Sequence, residues 1–228
     1  MGILADAAAI FFGCLIGSIA KIRISDGCMR IFGIAVAIMS IVGFAENTFV
    51  IEDGAIGSRG IYVVVFSLLL GYLISEWVKP ERFLSQRRAG QSTAHSGFID
   101  AAIFFGVGGL QISGPILLAL AGDSSQLYLK AVIDLPFALM YGAIYGRRTV
   151  LSALPVAAIQ LAIALIAYAL GGAIGESMVG VICSLGFIIL FFSGVNMFSD
   201  GRSKINNTGM IFSIPIAIAA ELLLAAVG

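Results

Sequence analysis

The chain has 228 residues, 60% of them apolar and only 11% charged, with 13 basic side chains balancing 13 acidic ones. Its mean hydropathy is +1.06. A soluble domain carries roughly a quarter charged residues, so this chain cannot cover itself with a polar surface in water, which excludes a soluble enzyme or a nucleic-acid-binding module.

Eight apolar stretches follow one another, at 2–20, 29–48, 60–78, 97–121, 127–146, 149–170, 178–199 and 208–227. Each suits a bilayer core that takes ~20 helical residues to cross. Each is predicted to be helical, because an open segment in hydrocarbon leaves its backbone donors and acceptors unpaired. The alternating pattern of a membrane β-barrel is absent, and the longest polar stretch, Lys79 to Ser96, is too short for a domain. The expected architecture is all-α and polytopic: one transmembrane domain over residues 1–228, embedded in the lipid bilayer.

Eight crossings alternate the connections between two sides. One side receives Lys21, Arg23 and Arg30, then Lys79, Arg82, Arg87 and Arg88, then Arg147 and Arg148, then Arg202 and Lys204, eleven of the thirteen basic residues. The other receives Arg59 and Lys130 among Glu46, Glu52, Asp53, Asp123 and Glu176. The positive-inside rule makes the first side cytoplasmic, giving a multi-pass protein of the cell (inner) membrane with both termini outside. The first span is preceded by no basic residues, the pattern of a retained helix rather than a cleaved signal peptide. Cys14, Cys28 and Cys183 show neither metal spacing nor a disulfide framework and read as small apolar fillers.

The first span contains Asp6-Ala7-Ala8-Ala9-Ile10-Phe11-Phe12-Gly13, and the fourth contains Asp100-Ala101-Ala102-Ile103-Phe104-Phe105-Gly106. Spans an odd number of crossings apart run in opposite directions, so this echo is the trace an inverted-topology repeat leaves. A weaker echo links Gly33–Gly43 of the second span to Gly186–Gly194 of the seventh. Together they suggest that spans 1–3 correspond to 4, 7 and 8, with 5 and 6 inserted; chance matching of common residue types is the bland alternative.

A charged side chain near mid-bilayer costs roughly 2.5–3.5 kcal/mol by insertion scales, so it usually lines a cavity or meets a partner. Asp6 shares a helix face with Gly13 and Gly17, a small-xxx-small pair that lets another helix approach closely. It is read either as a carboxylate beside a tight crossing or as an interfacial residue. Asp100 is its counterpart and heads Gly106-Val107-Gly108-Gly109-Leu110-Gln111-Ile112-Ser113-Gly114-Pro115. Gly at about 1 and Pro at about 3 kcal/mol worse than Ala make this poor helix material, so the fourth helix is expected to break there. Broken helices at membrane depth survive where they face protein or a cavity, and transporters use their freed ends to hold ions and solutes.

Lys130, Asp134, Tyr141 and Tyr145 fall on one stripe of the fifth span, which is either the lining of an aqueous path or a polar seam between helices. Gln160, midway through the sixth span, reads as interhelical glue, as does Asn196 in the seventh. Glu221 lies near the outer end of the eighth. The pairs Gly142/Gly146 and Gly171/Gly175 read as packing contacts. The single histidine, His95, lies in a cytoplasmic loop, and no zinc cluster, phosphate loop or Ser/His/Asp set is visible. No enzyme activity, metal or cofactor is expected.

Met1-Gly2 with Gly13-Cys14-Leu15-Ile16-Gly17, Leu70-Gly71 to Glu76, the Gly-rich Phe104–Pro115, Gly122-Asp123 through Leu127 and Lys130-Ala131 to Asp134, Pro155 to Gln160, and Asn206 occur in an order that resembles the YdfK/YqgA-like family of uncharacterised bacterial membrane proteins. Departures fall at Gly106, where the family tends to have Cys, and at Asn206-Asn207-Thr208-Gly209, where it tends to Asn-x-Leu-Pro. The resemblance implies a membrane fold and no activity. The residues themselves point to a secondary transporter or channel-like permease for a small solute or ion. Its candidate site residues are Asp6, Asp100, Gly108, Gly109, Gln111, Ser113, Lys130, Asp134 and Gln160. The alternative is a non-transporting scaffold or accessory subunit, and several small-residue faces suit a homodimer.

Overall fold

The computed structural model describes residues 1–20, 25–52, 55–58, 60–78, 101–102, 105–106, 109–171, 175–198 and 210–227. In chain order these form α1 (Gly2–Ala20), α2 (Asp26–Thr48), a hairpin of β1 (Phe49–Glu52) and β2 (Ala55–Ser58), and α3 (Ile61–Val78). There follow α4 (Gly109–Ala121), α5 (Ser125–Tyr145), a 3-10 turn (Arg147–Ser152), α6 (Ala153–Ala169), α7 (Glu176–Phe198) and α8 (Ser213–Val227). Residues 101–102 and 105–106 are helical as well.

Among the described residues six stretches are long and apolar enough to cross a membrane: Gly2–Ala20, Arg30–Thr48, Ile61–Val78, Ser125–Tyr145, Arg147–Ala169 and Ser177–Asn196. Leu110–Ala121 and Ser213–Ala226 are shorter apolar helices, and residues just before each, 107–108 and 199–209, lie outside the described set. Whether the fourth span breaks at 107–108 therefore lies outside the described residues. Its second half, from Gly109 through Pro115 to Ala121, is one continuous helix, so Gly114-Pro115 is not the break. Pro115 only removes the bond its N–H would have given to the carbonyl four residues back.

The hairpin is an element the hydrophobic pattern did not predict. Its register pairs Phe49 with Ser58, Val50 with Gly57, Ile51 with Ile56 and Glu52 with Ala55. Residues 53 and 54, which join the strands, are Asp-Gly, a strong two-residue hairpin signal.

The chain divides into two compact units, each assembled from two stretches: Met1–Asp26 with Arg82–Gly171, and Gly27–Glu81 with Gly172–Gly228. In the first unit α1 and α5 run parallel: Gly2 lies against Leu127, Gly13 against Ala138 and Gly142 against Cys14. The backbones all but touch. A Cβ on Gly17 would stand 2.0 Å from the Leu139 carbonyl oxygen, and one on Gly142 would stand 2.1 Å from that of Cys14. These are the close crossings that small residues permit between membrane helices. Helix α6 runs parallel to the fourth span, with Gly106 beside Ile159 and Leu120 beside Gly171.

In the second unit α2 and α7 are antiparallel, Gly33 lying against Gly194, Gly43 against Phe187 and Asn47 against Gly180. Helices α3 and α8 are antiparallel too, with Gly71 packed on Ser213 and Gly60 near Glu221. Within each unit the even-separated pairs are parallel and the odd-separated pairs antiparallel, as alternate crossings require. The second unit's buried hydroxyls are mostly satisfied within their own helices. Ser40 donates to the Val36 carbonyl and Ser184 to that of Gly180. Between helices, Thr48 and Ser184 meet at 2.8 Å.

Two glycine pairs divide rather than act together. Gly142 packs tightly, but Gly146 ends α5 with φ +81° and nothing within 4 Å of a built Cβ. With ψ −167° this is a conformation essentially confined to glycine, so Gly146 terminates the helix rather than packing it. Likewise Gly171 touches Leu120 whereas Gly175 has no neighbour within 4 Å.

Candidate functional site

Helix α1 buries Gly2, Asp6, Ile10, Gly13, Cys14 and Gly17, a single face at 3.6-residue periodicity. Helix α5 buries Gln126, Leu127, Lys130, Ile133, Asp134, Phe137, Ala138 and Gly142. The glycine crossings press these two faces together, and Asp6 on one then meets Lys130 on the other. The Lys130 Nζ donates to Asp6 Oδ2 at 2.9 Å and also to Asp134 Oδ2, one turn along its own helix.

Helix α6 completes the group. Gln160 Nε2 donates to the same Asp6 Oδ2 at 2.6 Å and to Gln111 Oε1 of α4 at 2.9 Å. Gln111 Nε2 in turn donates to the Val156 carbonyl at 3.1 Å. Four helices thus contribute to one chain of contacts: Asp134, Lys130, Asp6, Gln160, Gln111. Asp6, Gln111 and Gln160 are fully buried, and Lys130 and Asp134 are only 4% and 6% exposed. Apolar Ile10, Leu127, Ile133, Phe137 and Val156, all buried on the same helices, complete this interior.

Asp6 is buried in the unit's interior, its carboxylate bonded by Lys130 and Gln160. Five of the nine candidate residues, Asp6, Gln111, Lys130, Asp134 and Gln160, converge. Ser113 is buried nearby on α4 but donates to Gln126 Oε1 at 2.6 Å, outside the chain of contacts. Gly109 is the first residue of α4. Asp100 and Gly108 lie outside the described residues. The fifth-span stripe divides. Lys130 and Asp134 enter the network, while Tyr141 and Tyr145 stack on each other at 5.6 Å and Tyr141 meets Phe105 at 5.6 Å. Gln126 was missed, although it stands four residues before Lys130 on the stripe.

The network has spare acceptors. Asp6 Oδ1 and Gln160 Oε1 are buried with no hydrogen-bond partner. Two carboxylates face one ammonium, so with all three ionised the group carries one net negative charge. Among the described residues, no cluster of three His, Cys, Asp or Glu side chains could hold a metal ion.

A family model described as "Protein of unknown function (DUF554)" matches residues 1–221. The chain is similar to the uncharacterized membrane protein YdfK of Bacillus subtilis, at 25% identity over 211 residues covering 90% of both chains. No solved structure matches.

Proposed function

Because the chain belongs to this DUF554 family of membrane proteins, whose description assigns no activity, we propose its function from the site alone: a secondary transporter or channel-like permease for a small solute or ion. The observation that carries this reading is the burial of Asp6, Lys130 and Asp134 together at a junction of helices. Ionisable side chains inside membrane helices are rare and mark ion and substrate pathways. The surrounding glycine crossings and the Gly-rich fourth span belong to the same pattern. The proposed site is centred on Asp6, Lys130 and Asp134, with Gln111 and Gln160 as neutral ligands and Ser113 at its edge.

The inverted repeat is part of this proposal. The weaker echo pairs α2 with α7, and the correspondence suggested by the two echoes matches α3 to α8; both of these pairs pack antiparallel in the second unit. In transporters such repeats place the substrate site near mid-bilayer. The proposed placement is the inner membrane, with the basic connections on the cytoplasmic side and both termini outside.

The near-complete burial of the network favours one other reading, a scaffold in which the ions form a sealed polar seam. Accessibility separates the two. In a background with Cys14, Cys28 and Cys183 replaced, Ser113→Cys in proteoliposomes should react with a membrane-impermeant thiosulfonate reagent, because an access cycle must open the site to water. Asp134→Asn should abolish solute-evoked currents while leaving a folded, monodisperse protein. An unreactive Cys at 113, with full currents in Asp134→Asn, assigns the network to the scaffold.

A further inference from the structure

Asp6 and Gln160 meet through only half of their hydrogen-bonding edges. The amide nitrogen of Gln160 donates to Asp6 Oδ2 at 2.6 Å. The two unpartnered oxygens, Asp6 Oδ1 and Gln160 Oε1, are the geminal neighbours of those two bonded atoms. Both are acceptors, and so is every oxygen of an ionised carboxylate. Buried acceptors without a donor cost about 1–3 kcal/mol each, and buried polar groups are otherwise nearly always satisfied.

Exchanging the oxygen and nitrogen of the Gln160 amide does not remove the deficit. It would set an oxygen against Asp6 Oδ2 and against Gln111 Oε1, losing two bonds. The shortage is therefore of donors and of positive charge together. Two carboxylates share one ammonium from Lys130, so the group is short by one positive charge. One proton supplies both needs. Placed at Asp6 Oδ1 it turns an acceptor into a donor, and the acid can then donate to Gln160 Oε1 while still accepting from Nε2. A carboxylic acid and a primary amide pair edge to edge in this way, with two hydrogen bonds. A metal ion is a poorer fit, since among the described residues no three His, Cys, Asp or Glu side chains are grouped to hold one and such ions take a fuller oxygen shell.

We propose that the Asp6–Asp134 pair holds one exchangeable proton, and that this proton is the ion coupled to transport. The step is a simple protonation. One O–H bond forms on a carboxylate oxygen of the pair as a proton arrives from water, and the same bond breaks when the site opens to the other side. The proton is assigned to the pair because both carboxylates bond the one Lys130 ammonium. Among the described residues the charged and titratable groups facing the pair are Cys14 on α1 and Lys130 on α5. From α4 and α6 come the neutral amides of Gln111 and Gln160. The coupling rests on the transport reading; the bound proton does not.

Infrared spectroscopy of the full chain in lipid vesicles tests it with no solute. At neutral pH the wild type should show the C=O stretch of a carboxylic acid, shifting after transfer to D2O. Asp6→Asn or Asp134→Asn should remove that band. Gln160→Leu should move it, by taking away the amide partner, and this variant decides the question if neither Asn variant folds. A band region identical in the wild type and all folded variants overturns the proposal. A band that does not shift in D2O overturns the coupling, since it marks a sealed acid. Loss of currents in Asp134→Asn without any such band would retain transport and discard the proton; the reverse would retain the proton and discard transport.

Discussion

Replacing Lys130 by Met tests the network most directly. The side chain is 4% exposed and its ammonium is the only cation within the described network. Two unit charges ~3 Å apart attract by roughly 5–6 kcal/mol at an effective dielectric of ~20, a gross figure offset by the desolvation of both ions. What the substitution exposes is the other side of that balance. Asp6 and Asp134 keep their burial and lose their counter-ion, and removing one partner of a buried pair costs about 3–5 kcal/mol. That is a fall of roughly 10²- to 10³-fold or more in the folding equilibrium.

The assay can use the chain's own thiols. Cys14 and Cys183 are buried, so with Cys28 replaced by Ser a fluorogenic maleimide reports their exposure as the detergent-solubilised protein is heated. Lys130→Met should lower the midpoint sharply. Adding Asp6→Asn and Asp134→Leu should restore it, because a wholly uncharged interior removes the need for the cation, and such replacements are often neutral or stabilising. A Lys130→Met protein within about 0.5 kcal/mol of wild type, the range of ordinary surface changes, would show that these charges are not buried against one another. A triple variant no better than Lys130→Met would show that the loss came from packing of the lysine stem.

The same thermal assay checks two further contrasts. Gly142→Ala puts a Cβ 2.1 Å from the Cys14 carbonyl oxygen, so α1 and α5 must part; a loss at or above the usual overpacking range of about 1–3 kcal/mol is expected. Gly146→Ala meets nothing within 4 Å and should lose only the backbone preference of an essentially glycine-only conformation, about 1–3 kcal/mol; an unchanged midpoint in Gly142→Ala would refute the crossing. Gln160→Leu removes two donated bonds and leaves Gln111 Oε1 without that donor, so about 1–3 kcal/mol should go, whereas Thr48→Val, which removes one interhelical bond from the second unit, should cost nearer the ~0.6 kcal/mol average for such bonds in membranes.

How much of this was legible in the sequence depends on the range of the interaction. The membrane-crossing helices follow from composition and length, which are local properties. So does the burial of Asp6 with Gly13 and Gly17, which 3.6-residue spacing puts on one face. The Lys130–Asp134 pair is readable because its members are one turn apart. The partnership of Asp6 with Gln160 is not, because it joins the first and sixth spans, and an isolated Gln in an apolar helix looks the same whether it binds a carboxylate or a backbone carbonyl. Gln126 is legible too, as it stands one turn before Lys130 on the same stripe. The hairpin was missed because its strands are only four residues each; the Asp53-Gly54 dipeptide was the available signal. Gly146 looked like Gly142 because spacing alone does not distinguish a packed glycine from a terminal one.

The distribution of buried polarity separates the two units. Among the described residues the buried charged side chains are Asp6, Lys130 and Asp134, all within the stretches that form the first unit. The second unit buries hydroxyls such as Ser40, Ser75, Ser184 and Ser213, each bonded to a carbonyl three or four residues back in the chain. Such bonds satisfy a polar atom locally and need no neighbouring helix, so they do not fix how helices meet. Lys130 and Asp134 pair one turn apart on α5, but the three charges of the first unit cannot all be satisfied that way. They need Asp6 and Lys130, 124 residues apart, to be held at hydrogen-bond distance, and that requires the backbone contact at Gly17 and Gly142. The glycines and the ions are therefore one device: the first set the helix separation at which the second become tolerable in an apolar interior. Any motion that opens the α1–α5 crossing also separates the ammonium from Asp6, which links exposure of the site to a change in its charge balance.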